Sequence, residues 1–156
     1  MTRLPANDRF RAAAEALGIE PDIVRFSEDT RTAAQAAAAL GCDLGQIIKS
    51  LVFQCDGEPV LALTAGDQQV DTQTLGELCG GIIEKAGAET VRDATGFAIG
   101  GVPPFGHMTQ LRCFVDRNIA RHETVWGAAG TPDTVFSISS SRLVSLSGGQ
   151  VTDFVI

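Results

Sequence analysis

Lysine occurs only twice in this chain of 156 residues, at Lys49 and Lys85, and tyrosine does not occur at all. The shortage leaves 12 basic against 19 acidic side chains, a net charge of -7 and a pI near 4.7. A protein that coats long nucleic acid must neutralise many phosphates, so that class is excluded. The imbalance is local. Residues 1–100 hold 15 Asp/Glu against 8 Lys/Arg, whereas residues 101–156 hold 4 of each.

Cysteine and histidine are also sparse. Cys42, Cys55, Cys79 and Cys113 show no CxxC spacing, which argues against a thiol redox motif, a zinc ribbon or a secreted disulfide scaffold. His107 and His122 lack cysteines or carboxylates at ligand spacing, so no metal and no cofactor are expected. No apolar run reaches the roughly 18 residues of a membrane span, and Met1 to Phe10 lacks the apolar core of a signal peptide. There is no GxGxxG, Walker or GxSxG pattern. The expectation is a reduced, soluble, cytoplasmic protein that does not touch membranes.

What is present is a chain with 44% hydrophobic residues and a mean hydropathy of +0.13, enough to bury a core without disulfides and too apolar for disorder. No linker or repeat interrupts it, so residues 1–156 read as a single domain. Asn7 or Asp8 is placed to cap a helix that stops at Gly18, and Thr30 to cap an alanine-rich helix over 31–40 that stops at Gly41. Ile47–Cys55 and Val60–Leu63 flank Asp56-Gly57, a hairpin pattern. Asp71 is placed to cap a helix ending at Gly80-Gly81. Phe97 to Pro104 holds too much Gly and Pro for regular structure. Strands are expected at Leu111–Val115, Thr124–Trp126, Thr134–Ile138 and Val151–Ile156. Ser139 or Ser140 caps a helix before Gly148-Gly149. The order predicts an α+β domain on a mixed sheet.

Three features carry possible chemistry. Lys49 lies inside the apolar run Ile47 to Phe53; it either projects to solvent or is fixed in a pocket for a phosphate or carboxylate. Thr95-Gly96-Phe97-Ala98-Ile99-Gly100-Gly101-Val102-Pro103-Pro104-Phe105-Gly106-His107 is either a stiff structural loop or a segment whose glycine amides meet an oxyanion. On the second reading, a side chain at Gly101 should cost turnover and leave stability nearly unchanged. Asp116, at a strand end, is a pocket carboxylate or an exposed ion-pair partner. Cys55 and Cys113 read as inert core residues, and no nucleophile paired with a base is visible.

The order of these motifs is specific. The Ala-rich helix introduced by Asp29-Thr30-Arg31-Thr32, then Ile48-Lys49-Ser50-Leu51-Val52-Phe53, then the Gly100 to His107 loop, then Ala128-Ala129-Gly130-Thr131-Pro132 together resemble the YbaK/prolyl-tRNA-synthetase-associated editing-domain family. The resemblance runs from about residue 5 to the end. It implies a barrel-like mixed sheet with surrounding helices, and hydrolysis of the ester that joins a wrong amino acid to a tRNA 3′ end. Because no synthetase domain is attached, it implies a free-standing enzyme acting in trans, as a monomer or homodimer, with a synthetase as a further candidate partner.

By motif match, Lys49 falls on the family lysine that holds the terminal adenosine and its phosphate, and Gly100 to Pro104 fall on its GxxxP loop. Gly130 falls on the glycine of a later pocket loop. Thr131 stands where alanine-editing relatives carry histidine. The expected catalytic set is Lys49, Gly100 and Gly101. The expected substrate-binding set is Thr32, Ser50, Val102, Pro103, Pro104, Phe105, Gly106, His107, Asp116, Gly130 and Thr131. A small or polar amino acid on tRNA-Pro or a related tRNA is the expected substrate; a non-catalytic aminoacyl-tRNA-binding module is the competing reading. The acidic balance permits this, because one 3′ end needs few phosphate contacts.

Overall fold

In a computed structural model, residues 4–27, 30 and 32–156 are described. Helix α1 (Ala6–Ala16) starts after Pro5 with no side-chain cap; Asn7 lies inside its first turn and is used elsewhere. Strand β1 (Ile23–Arg25) leads to α2 (Ala33–Leu40), which Thr32 rather than Thr30 caps. Thr32 Oγ1 accepts from Gln35 N–H at 3.1 Å while the Gln35 side chain accepts from Thr32 N–H at 3.1 Å, a reciprocal capping box. Asp29 and Arg31, part of the expected entry to this helix, lie outside the described residues.

The hairpin is longer than the apolar runs suggest: β2 (Ile48–Cys55) pairs along its length with β3 (Glu58–Ala65). Asp56 (φ 49°) and Gly57 (φ 87°) are both left-handed, which is the type I′ turn whose twist matches paired strands. Asp71 caps α3 (Thr72–Cys79) as expected, accepting from Gln73 and Thr74 N–H. Strand β4 (Ile83–Lys85) and helix α4 (Ala88–Thr95) follow. After the irregular 97–110 segment come β5 (Arg112–Asp116), a 3-10 turn over Arg117–Arg121, β6 (Thr124–Ala128) and β7 (Thr134–Ser139). Ser139 caps α5 (Ser140–Ser147), accepting from Arg142 N–H. The final strand β8 is only Gln150–Thr152, and Val155 makes a lone bridge to Val70.

The strands form two sheets, in the order β4-β2-β3-β5-β8 and β1-β7-β6. The larger is mixed, with β3, β5 and β8 parallel. A parallel bridge between Ile47 and Trp126 connects the two, but they do not close into a barrel. Ile48, Val52, Leu61, Leu63 and Val115 of the large sheet share one core with Val125, Phe136 and Ile138 of the small one, and with Phe10 and Leu143 from α1 and α5. The opposite face of the large sheet buries Phe53, Val60, Ala62 and Phe114 under Leu75 of α3 and Phe154. Each of the larger side chains, Val, Leu, Ile or Phe, contributes about 1.5–3 kcal/mol of burial.

Candidate active site

Alternation along β2 separates its side chains. Ile48 and Val52 face the core between the sheets, and Ser50 shares that face with its Oγ buried and without a partner among the described residues. Lys49, Leu51 and Phe53 face the other way. Ser50, expected at the substrate, therefore points to the face of the sheet opposite to Lys49.

Lys49 is half-buried, with Nζ donating to Gln68 O at 2.7 Å. It stands across from Thr64 of β3, which is fully buried with its hydroxyl unpartnered among the described residues. One strand further, Asp116 is buried and accepts from the N–H groups of Ala65 (3.1 Å) and Asn118 (2.9 Å). Burial pulls the lysine below its usual value, and the Asp67 and Asp116 carboxylates oppose that pull. The ammonium is thus fixed at the end of the apolar layer, not loose in solvent.

The Gly-Pro loop is held from three sides. Gly100 is left-handed (φ 87°), and Gly101 N–H donates to Ala98 O at 2.9 Å. A Cβ on Gly101 would meet Gly130 O at 2.7 Å and Thr131 Cα at 2.8 Å. The close approach at Gly101 is therefore backbone against backbone inside the protein, and a side chain there must disturb the fold; the expectation of unchanged stability is corrected. The Pro104 ring lies 3.0 Å from where a Gly127 Cβ would stand, docking the loop on β6.

The latter half of the loop belongs to the core. Val102 is buried. The Phe105 ring packs 5.8 Å from Phe10 and 5.7 Å from Phe136, so core packing accounts for a residue expected at the substrate. Gly106 (φ 81°) abuts Ala13 of α1. His107 donates Nε2–H to Pro103 O at 2.6 Å, since a carbonyl can only accept. Burial depresses its pKa, so it is neutral near pH 7. With Leu17, Leu61 and Leu146 it lines a cavity of about 310 Å³ on the α1 and α5 side.

Thr131 is consumed by a polar network. Its hydroxyl donates to Asp133 Oδ1 at 2.7 Å and lies 2.7 Å from Thr134 Oγ1. Asn7 Nδ2 donates to Ala129 O (2.9 Å), Thr134 Oγ1 (2.9 Å) and Thr131 Oγ1 (3.3 Å). Arg25 donates to Asn7 Oδ1 at 2.8 Å and pairs with Asp133. The Thr131 hydroxyl and the Arg25 charge hold Asp133 below the usual carboxylate range. Gly130 (φ 110°) sits on Ala6, where a Cβ would meet Ala6 O at 2.7 Å. Asn7, Arg25 and Asp133 thus shape the Gly130 turn, and Asp67 and Gln68 shape the lysine; none was marked by local spacing.

These parts converge through β6. Ile47, at the entry to β2, bridges Trp126, and β2 and β6 lie in contact. Pro104 covers Gly127, and the Gly100-Gly101 turn packs on Gly130, just past the end of β6, with Pro132 against Gly100. β6 therefore links the strand that carries Lys49 to the glycine-rich turn, while the Lys49 side chain lies on the face of β2 opposite to Ile48 and Val52. Thr32 borders this region through α2, whose Ala36 and Ala37 pack on Ile47, but its own side chain is occupied as the helix cap. Among the described residues no three of His, Cys, Asp and Glu stand together to hold a metal ion.

The sequence profile of the aminoacyl-tRNA editing domain matches residues 27–146. The chain belongs to this family. A crystal structure of a candidate trans-editing enzyme for prolyl-tRNA synthetase superimposes with a TM-score of 0.93 at 39% identity, covering 99% of both chains. The uncharacterised protein YwhH of Bacillus subtilis is 31% identical over 133 residues, 85% of each sequence. The proline–tRNA ligase of Maridesulfovibrio salexigens is 36% identical over 96 residues, which are 61% of this chain and 16% of the ligase. Editing domains of this family are deacylases: they hydrolyse the ester of an aminoacyl-tRNA. No helix among the described residues of this editing domain is long and apolar enough to cross a membrane.

Proposed function

We propose that this editing domain acts in trans on a mischarged tRNA-Pro or related tRNA, in the cytoplasm, releasing a small or polar amino acid. What supports the reading is the half-buried Lys49 ammonium, fixed on a strand that β6 links to the turn of Gly100, Gly101 and Gly130. Lys49 holds the 3′-terminal phosphate and ribose and contributes by orientation. Water adds to the ester carbonyl, and the ribose oxygen leaves and takes a proton, giving free amino acid and an intact tRNA 3′ hydroxyl. Because Gly101 N–H already serves Ala98 O, the N–H groups of Gly100 and Val102, which take no part in the loop's own hydrogen bonds, are the donors for the developing oxyanion. An aminoacyl ester is activated, so modest acceleration suffices and a nucleophile is not needed. The substrate's ribose hydroxyl carries the proton transfers.

The candidate trans-editing enzyme for prolyl-tRNA synthetase and the proline–tRNA ligase among the relatives support tRNA-Pro and a synthetase partner. The experiment is a deacylation panel of alanyl-, seryl-, threonyl- and cysteinyl-tRNA with wild type and Lys49→Ala. At least one ester should be hydrolysed by wild type and, with the fold intact by circular dichroism, at least 100-fold more slowly by Lys49→Ala, in line with lost orientation. A wild type that binds tRNA yet hydrolyses none of the panel overturns the reading in favour of a binding module.

A further inference from the structure

At the end of β2 opposite to Lys49, two thiols are brought together. Cys55 ends β2 and Cys79 ends α3. Left-handed Gly80 closes the helix, and the chain turns through Gly81 to pair Ile83 with Cys55. A Cβ on Gly81 would stand 2.8 Å from Cys55 Sγ and 2.5 Å from Asp56 Oδ2; the absence of a side chain there lets the turn fold Cys79 back onto the strand. Both thiols pack against the same apolar cluster of Phe53, Val60, Leu75 and Phe114. Both residues line an open cleft of about 620 Å³ together with Asp56, Gln110 and Arg112.

Arg112 fixes a positive charge beside the pair. Its guanidinium donates to Cys79 O at 3.0 Å and Leu78 O at 3.2 Å, closing the carbonyl end of α3, and stacks 5.1 Å from the Phe114 ring. Asp56 and Glu58 share the cleft, and the neighbouring Cys79 sulfur, burial and the Asp56 carboxylate hold the Cys55 thiol up at about 11. The other two thiols are placed differently. Cys113 is buried and its thiol is pushed up to about 12, and Cys42 packs with Ile47 and Trp126 at the other end of β2.

We propose that Cys55 and Cys79 form an oxidation site, at which a hydroperoxide joins them in an intramolecular disulfide. Cys79 is the sulfur that meets the oxidant, because the Arg112 guanidinium is held at its carbonyl. The Cys79 sulfur takes one peroxide oxygen as the O–O bond breaks, giving a sulfenic acid and water. The Cys55 sulfur then attacks Cys79, expelling hydroxide, which leaves as water with the Cys55 proton. Two thiols and one hydrogen peroxide give one disulfide and two waters. The bond ties α3 to β2 and closes the chain from 55 to 79, which restricts the unfolded state. Lys49 lies six residues away along an extended strand, roughly 20 Å, so deacylation is left in place while the domain is stapled.

The test is mild hydrogen peroxide treatment of the whole protein, followed by thiol alkylation, peptide mass spectrometry and thermal melting. The expected result is two alkylatable thiols instead of four, a reductant-sensitive peptide linking Cys55 to Cys79, and a Tm raised by several degrees. Cys55→Ser should stop at a Cys79 sulfenic acid that a dimedone probe captures, and Cys79→Ser should leave Cys55 as a thiol. Four alkylatable thiols after treatment, or cross-linked dimers through Cys42 with Cys55 and Cys79 still free, would overturn the proposal.

Discussion

Gly101 and Gly130 meet backbone to backbone: a Cβ on Gly101 would lie 2.7 Å from the Gly130 carbonyl oxygen. Gly101 does not have a left-handed φ, so the demand for glycine comes from this contact alone. Gly101→Ala must push the two pocket loops apart. Overpacking of this kind costs about 1–3 kcal/mol, which for a chain of this size lowers Tm by roughly 2–12 °C. Deacylation should fall with it, because the displaced turn carries the proposed oxyanion donors. A Gly101→Ala protein with wild-type melting would refute the contact as the reason for glycine.

Asn7 is the clamp behind the same turn. One side-chain amide serves Ala129 O and the Thr131 and Thr134 hydroxyls, while its oxygen takes Arg25. Asn7→Ala strands these groups, at about 1–3 kcal/mol. Measured well below its own Tm, the variant should show kcat reduced roughly 10- to 100-fold, because small misplacement of a reacting centre is enough. KM should change little, since Lys49 and its surroundings are untouched. Equal kcat in wild type and variant would confine Asn7 to a purely structural role.

How far all this was legible follows from where each signal lives. The Asp56-Gly57 turn, the Asp71 and Ser139 caps and the Gly41 and Gly148 stops are local chemistry, and the elements they bound formed as read. Three-residue strands such as β1 and β4 offer no period to detect, and α4 begins at Gly87 without a side-chain cap, so all three passed unread. Lys49 could be singled out because an apolar run made it conspicuous. Its partners Gln68 and Asp67 could not, since they lie beyond the end of the hairpin that returns to it. The Asn7 network joins residues more than a hundred positions apart, and nothing in local spacing marks such a pair. The glycines of the loop were correctly seen as sites of close approach, but what approaches Gly101 is the chain itself.

His107 should make the fold sensitive to acid. Its folded pKa is depressed below the ordinary 6.5 by burial, so the unfolded chain takes up the proton first and stability is lost as pH falls from about 6.5 through the depressed value. His107→Gln retains an N–H for Pro103 O without a titratable ring. Its Tm should therefore fall less than that of wild type between about pH 7 and pH 5. Parallel curves for the two proteins would mean that His107 does not titrate differently on unfolding.

Lys49 should separate binding from stability as pH rises. Burial holds its pKa below the ordinary 10.5, so the ammonium is lost earlier than for a free lysine. Affinity for a non-hydrolysable, phosphate-bearing 3′-end analogue should then fall on the alkaline side at a pH below 10.5. The fold responds in the opposite sense. The unfolded chain binds this proton more tightly, so the lysine's contribution to stability rises over the window between its folded value and 10.5. Lys49→Arg keeps its charge throughout and should lose the alkaline limb of binding, at a lower affinity because the planar guanidinium does not fit the place of a compact ammonium. Binding by wild type that stays constant up to pH 10.5 would remove the Lys49 charge from substrate recognition.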